Sequence, residues 1–250
     1  IRCPDEEIAE FAFFSSARAA ELMSPLNRRV MLAALRARLG GTGAVYLDDG
    51  RHVHSSSALD RHQVHVRPCD GRDWTWHPDA TPPEELPLKE VLGWLFVPDG
   101  RVVLTVEPHP EPEMRIATLP GGTVEGEDAD PVVTLVRESV DKARLGLDEP
   151  AAVGWLHDTT GADYGNSGPC ARLRVAAPVT RIFPASPDLS TGRTFIRLLA
   201  APERAAALLG LGESGHGQAS LAAKIAGEEW GIPPAAPGPV TEVPAEGMVW

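Results

Sequence analysis

The sequence predicts an α+β protein, with short strands through its middle and helices toward both ends. Residues 90–97 and 101–106 are apolar runs of strand length around Pro98-Asp99-Gly100, a hairpin turn signal. Apolar residues recur at helical spacing over residues 5–22 and 131–145. No apolar run approaches the roughly eighteen residues of a membrane span.

The elements follow in chain order. In 5–22, Ile8, Phe11, Ala12, Ser15, Ala19 and Leu22 form one stripe, and Asp5, Glu6 and Glu7 favour the helix N-terminus. Ser24-Pro25 caps a second helix from about Leu26 to Leu39 that stops at Gly40-Gly41. Its arginines 28, 29, 36 and 38 read as a solvated face or as a phosphate or subunit contact. Short strands are expected from Ala44 to Val66, with a turn at Asp48-Asp49-Gly50. His52 and His54 would share a strand face, but nothing nearby completes a metal set, and a surface role is favoured.

Five prolines lie within residues 68–87, which read as a connector. Its Trp74 and Trp76 either stack on an aromatic ligand or pack one domain on the other. The domains expected are residues 1–80, residues 88–232 and a Pro/Ala-rich tail over 233–250 without periodicity, read as draped or disordered. Within 88–232, a strand is expected over 114–119. A helix follows over 131–145, with Pro131 in its first turn and Val132, Leu135, Val136, Ser139 and Val140 buried. Strands are then expected at 152–157, 171–179 and 194–199, and alanine-rich helices at 202–209 and 218–229. His216, between glycines before the last helix, reads as a loop cap or a ligand contact.

The net charge of −12 is uneven. Residues 1–80 hold ten basic and eleven acidic residues, and 81–250 hold thirteen and twenty-four. An acidic second half argues against non-specific nucleic-acid binding and suits a divalent cation. Cys3, Cys69 and Cys170 are odd in number and far apart, as in a cytoplasmic protein with reduced thiols. No signal-peptide pattern opens the sequence, which begins at Ile1. There is no P-loop, no Gly-x-Gly-x-x-Gly opening a helix after a strand, and no Gly-x-Ser-x-Gly elbow.

The most informative stretch is Leu119-Pro120-Gly121-Gly122-Thr123-Val124-Glu125, followed by Asp128, Arg137-Glu138 and Asp141-Lys142. A glycine turn brings backbone close to a ligand, and carboxylates just after it suit a hard cation that bridges to phosphate. The stretch resembles the box of the Nudix hydrolase family, and later segments such as 191–194 and 212–219 resemble actinobacterial chains of that kind. The resemblance covers about residues 88–230. It implies an α/β/α sandwich with a mixed sheet beside the small helix-and-strand N-terminal domain. It also implies a loop–helix–loop whose glutamates hold Mg²⁺ or Mn²⁺ against a pyrophosphate.

The box departs from the family pattern. Asp128 replaces a glutamate, and eight residues, not seven, separate it from Arg137. Ser139 takes an aliphatic position, Asp141-Lys142 replaces a Glu-Glu pair, and Gly146-Leu147 arrives two residues late. Glu138 and Lys142 are i,i+4 neighbours on a helix, so the ammonium would pair with Glu138 where a cation belongs.

The resemblance implies Glu138, Asp141 and Arg137 as catalytic residues, with Arg137 orienting a carboxylate. Glu138, Asp141, Asp128 and Glu125 are the candidate metal ligands. Gly121, Gly122, Lys142 and Arg115 are the candidate substrate contacts. The leading expectation is metal-dependent hydrolysis of a phosphoanhydride in a nucleoside-diphosphate-type molecule. The alternative is a catalytically impaired module that binds a phosphorylated ligand or serves regulation or assembly; a third is recruitment to a biosynthetic step. The partner expected is a phosphorylated small molecule, with no nucleic acid and no membrane, and the N-terminal helices suit a homodimer.

Overall fold

A computed structural model describes residues 45–48, 51–54, 57–66, 74–78, 81–111, 114–126, 128, 130–165, 167–188 and 191–250. The helices expected over 5–22 and 26–39 lie outside the described residues. The chain divides into two compact units, Ile1–His54 and Ser55–Trp250. In the first, β1 (Val45–Asp48) and β2 (Arg51–His54) form the expected antiparallel hairpin, with His54 opposite Val45 and His52 opposite Leu47.

The second unit opens with α1 (Ser57–His62), where short strands were expected. Its core is one mixed sheet. Across the main path the strands run β12 (Thr241–Glu242), β11 (Ile196–Ala200), β5 (Val102–Val106), β4 (Leu88–Phe96), β10 (Cys170–Ile182), β9 (Ala151–Asp158) and β3 (Trp74–Pro78). Only β4 and β10 pair in parallel on this path. The 98–100 turn forms as its residues dictate: Asp99 accepts from the backbone and side-chain nitrogens of Arg101, and Gly100 takes φ +83°.

The strand expected over 114–119 is confined to residues 117–118, and the expected Pro-Gly-Gly turn after it supplies a second short strand with a different neighbour. Strand β6 (Ala117–Thr118) pairs with β5, and β7 (Gly121–Thr123) pairs with β4. The switch falls at Pro120, which has no N–H to give a ladder. After β7 comes α2 (Pro131–Glu138), capped by Asp130, whose side chain accepts from the backbone N–H groups of Val132 and Val133. The helix widens into a π turn, Ser139–Ala143, then enters β8 (Leu145–Leu147). A π turn accommodates an extra residue in a helix, which is how the chain absorbs part of the late Gly146-Leu147.

The two sheet faces differ in chemistry. Leu173, Val175 and Ala177 of β10 join Val91, Leu95 and Leu135 of α2 in one apolar cluster. Alternate residues of β10, Arg172 and Arg174, point to the other face. That side is covered by α4 (Gly212–Trp230), which packs across β3, β4, β9 and β10 and against α3 (Pro202–Leu209). The result is the helix–sheet–helix layering the resemblance implied.

Several expectations are corrected. Helix α4 begins at Gly212 rather than 218 because packing overrides the poor helix propensity of its glycines; a Cβ at Gly217 would meet the Trp76 ring. Helix α2 buries Thr134, Leu135 and Glu138, whereas Val132 and Val136 are exposed. The connector at 68–87 supplies β3. The tail is threaded into the sheet: β12 pairs with β11, and β13 (Met248–Val249) pairs with β10. Val240 and Val243 are buried, and Arg61 and His62 reach Glu242.

Candidate functional site

The box is held by two glycines that nothing larger could replace without displacement. Gly121 has φ +127°, and a Cβ there would sit 2.1 Å from the Val91 carbonyl oxygen. A Cβ at Gly122 would lie 2.5 Å from Glu138 Oε2. Strand β7 therefore lies directly on the glutamate that α2 delivers from beneath.

Arg137 organises the carboxylates. Its Nε and Nη2 donate to Asp128 Oδ1 and Oδ2 at 3.3 and 3.0 Å, Nη2 also donates to the Thr123 carbonyl, and Nη1 donates to Glu138 Oε1 at 2.6 Å. Glu125 Oε1 lies 3.2 Å from Nη1. Asp128 also accepts from the Thr134 hydroxyl and the Glu125 N–H. Arg137, then these two donors, hold the Asp128 carboxyl well below the usual carboxylate range. The same bond to Asp128 holds Arg137 further into its charged form.

Glu138 is buried, and its second oxygen meets the Lys142 ammonium 2.5 Å away. The contact is an ion pair off the hydrogen-bonding direction, so Oε2 accepts no directed hydrogen bond. Asp141 makes no hydrogen bond or ion pair with the described residues. The wider π turn takes fewer degrees per residue than an α-helix, which carries position 141 further round from Glu138.

The structure thus brings Glu125, Asp128, Arg137, Glu138, Lys142 and the two glycines together, and leaves Asp141 at the edge. Arg115 is elsewhere: its Nε donates to the His109 carbonyl and its Nη1 to the His62 carbonyl. As arranged, these residues do not make a cation site. Both oxygens of Glu138 face cations, both oxygens of Asp128 accept from Arg137, and no group of three His, Cys, Asp or Glu among the described residues could hold a metal ion. A divalent cation would have to displace Lys142. Thr134 and the Thr123 carbonyl were missed from the sequence; the i,i+3 spacing of Thr134 to Arg137 was the available signal.

A second charged cluster was also missed. Arg172 and Arg174 are buried on β10 beside Glu90 of β4, with the Arg172 guanidinium 4.2 Å from the Trp74 ring centroid. The signal was Arg-Leu-Arg in an apolar strand. His216 lies in the first turns of α4, half-buried.

No family model matches the sequence, and no curated protein matches it. Solved structures similar to the chain include a pyrophosphohydrolase of Bacillus subtilis, at 18% identity and a TM-score of 0.33, covering 42% of this chain and 59% of that one. A Nudix hydrolase from Nitrosomonas europaea matches at 18% identity and 0.34, covering 43% and 68%. A UDP-X diphosphatase matches at 15% identity and 0.39, covering 87% and 91%. The chain spans less than two thirds of the first of these. At these values the likeness carries no residue role across. No helix among the described residues is long and apolar enough to cross a membrane.

Proposed function

We propose that the chain is a Nudix-like module that binds a phosphorylated small molecule without metal-dependent hydrolysis. One observation carries the loss of metal chemistry: Glu138 is neutralised from both sides, by Arg137 at 2.6 Å and Lys142 at 2.5 Å; the phosphorylated ligand is what the resemblance implies. A tethered ammonium stands where the family pattern calls for a carboxylate, so the cage is closed by the protein's own cation. The box then acts as a clamp that fixes β7 on α2. Its Gly121-Gly122 pair and Arg137 hold β7 and α2 together, while Lys142 takes the place of the metal.

A metal-dependent phosphoanhydride hydrolase is the second reading, and charge favours it. Glu125, Asp128, Glu138 and Asp141 exceed Arg137 and Lys142 by two negative charges. Lys142 is a third exposed on a flexible stem. If that stem swings out, Glu138 Oε2 is freed for a divalent cation.

Turnover separates the two. The full chain is incubated with Mg²⁺ or Mn²⁺ and a panel of nucleoside-diphosphate-linked compounds, beside Glu138→Gln. The proposal expects equal, background rates in both proteins. Turnover that disappears in Glu138→Gln overturns it in favour of the hydrolase.

A further inference from the structure

An open cleft of about 430 Å³ lies where the C-terminal end of α4 meets the end of the sheet. Phe96 is the last residue of β4, Pro178 lies toward the end of β10, and Trp230 is the last residue of α4. With Pro98 and Ile232 they form its walls. The volume is that of a small-molecule site, and an apolar lining with few polar groups is what such sites have. None of these residues belongs to the box.

The walls are set by the chain itself. Gly231 ends α4 in the left-handed region, and the N–H groups of Gly231 and Ile232 both donate to the Ala226 carbonyl. The segment that follows lies directly on the 98–100 hairpin: a Cβ at Gly100 would sit 2.1 Å from the Pro233 carbonyl oxygen. Proline rings fix the backbone φ at 98, 178 and 233. A cleft held this way is formed before a ligand arrives, and binding costs little ordering.

Its charge has one sign. Asp148 is the one charged residue in the lining. The Asp148 N–H donates to the Pro178 carbonyl at 3.0 Å, which holds the residue on the rim. Its Oδ1 accepts from the Glu149 N–H at 2.9 Å, and no cation among the described residues pairs with the carboxylate. The end of α4 adds the negative pole of the helix. Basic side chains favour that pole, yet the last turn of α4 holds Glu228 and Glu229 and no basic residue. Trp230, at the same end, has the ring that attracts cations best. A hard metal ion would need a shell of oxygens that apolar walls do not offer.

We propose that this cleft binds a small organic cation, an amine or quaternary ammonium with an apolar body. The ammonium lies between Asp148 and the end of α4, and its carbon body lies along Trp230 and the proline walls. The site is independent of the box, and neither outcome of the turnover experiment bears on it.

The test is NMR titration of the isotope-labelled full chain with choline, beside its uncharged carbon isostere dimethylbutanol, at matched ionic strength. The readout is the backbone amide signals of Asp148, Gly231 and Ile232. Choline should move them saturably and bind at least about fivefold more tightly than the alcohol. Asp148→Asn keeps an acceptor for the Glu149 N–H and should weaken choline about two- to fivefold. Trp230→Leu keeps apolar bulk and should weaken it by a similar factor. Amide spectra unchanged away from the cleft show that both variants are folded. No saturable shift at these amides overturns the site, as do equal affinities for choline and the alcohol, or an affinity unmoved by Asp148→Asn. Shifts confined to the box residues place the cation there and overturn it as well.

Discussion

Gly122→Ala probes the contact between β7 and Glu138. Its backbone is outside the left-handed region, so alanine is permitted there. The new Cβ would meet Glu138 Oε2 at 2.5 Å, Cδ at 2.6 Å and Cγ at 3.0 Å. Ordinary contact needs about 1 Å more than the shortest of these. A free glutamate would step aside at little cost. This one is pinned by Arg137 and Lys142, and retreat of that size pulls it out of reach of both. Overpacking of this kind costs about 1–3 kcal/mol. For a unit of this size each kcal/mol lowers Tm by about 2–4 °C. The assay is urea unfolding of wild type, Gly122→Ala, Glu138→Ala and the double variant. In the Glu138→Ala background the clash disappears, so Gly122→Ala should add less than about 0.5 kcal/mol there. Additive effects would refute the claim that Glu138 is immobilised under the turn.

Three further outcomes follow from the same geometry. Lys142→Met removes an attraction of about 2 kcal/mol at a water-like dielectric, discounted for exposure to about 1 kcal/mol, and should lower Tm by about 2–4 °C; an unchanged Tm would mean the pair is idle. Asp128 has its folded pKa depressed, so its stabilisation is full above its unfolded value near 3.9 and is lost as pH falls through the folded value. Urea midpoints should therefore show wild type leading Asp128→Asn at pH 7, with the lead shrinking below about pH 4; a constant lead contradicts it. Deleting residues 239–250 removes buried Val240 and Val243 and the Pro244 carbonyl that accepts from Arg197. That should cost about 3–6 kcal/mol, whereas full-chain stability would show the tail strands to be dispensable.

What was legible in the sequence was local. The Pro98-Asp99-Gly100 hairpin and the helix start at Pro131 rest on conformations those residues favour, and both form; the expected turn at Gly121-Gly122 is instead strand β7, with Gly121 at positive φ. The strands from 90 to 199 were readable because they are apolar and bounded by turns. The roll of α2 was not, because Val132 and Val136 advertise burial more strongly than Glu138 does. Burying Glu138 depends on Arg137, Lys142 and Gly122, a cost no periodicity reports. The tail strands are two residues long and leave no alternation to find. Arg174 was readable as part of a strand, but its partner Glu90 is 84 residues away. The i,i+4 pairing of Lys142 with Glu138 was legible, and it is the feature on which the proposed function turns.

Calorimetric titration of Mg²⁺ and Mn²⁺ into wild type and Lys142→Glu tests that feature most directly. The account predicts no saturable heat in wild type, and saturable binding in Lys142→Glu once a carboxylate replaces the tethered ammonium. Saturable binding to wild type that is lost in Glu138→Gln would contradict it and return the chain to the metal-dependent hydrolases.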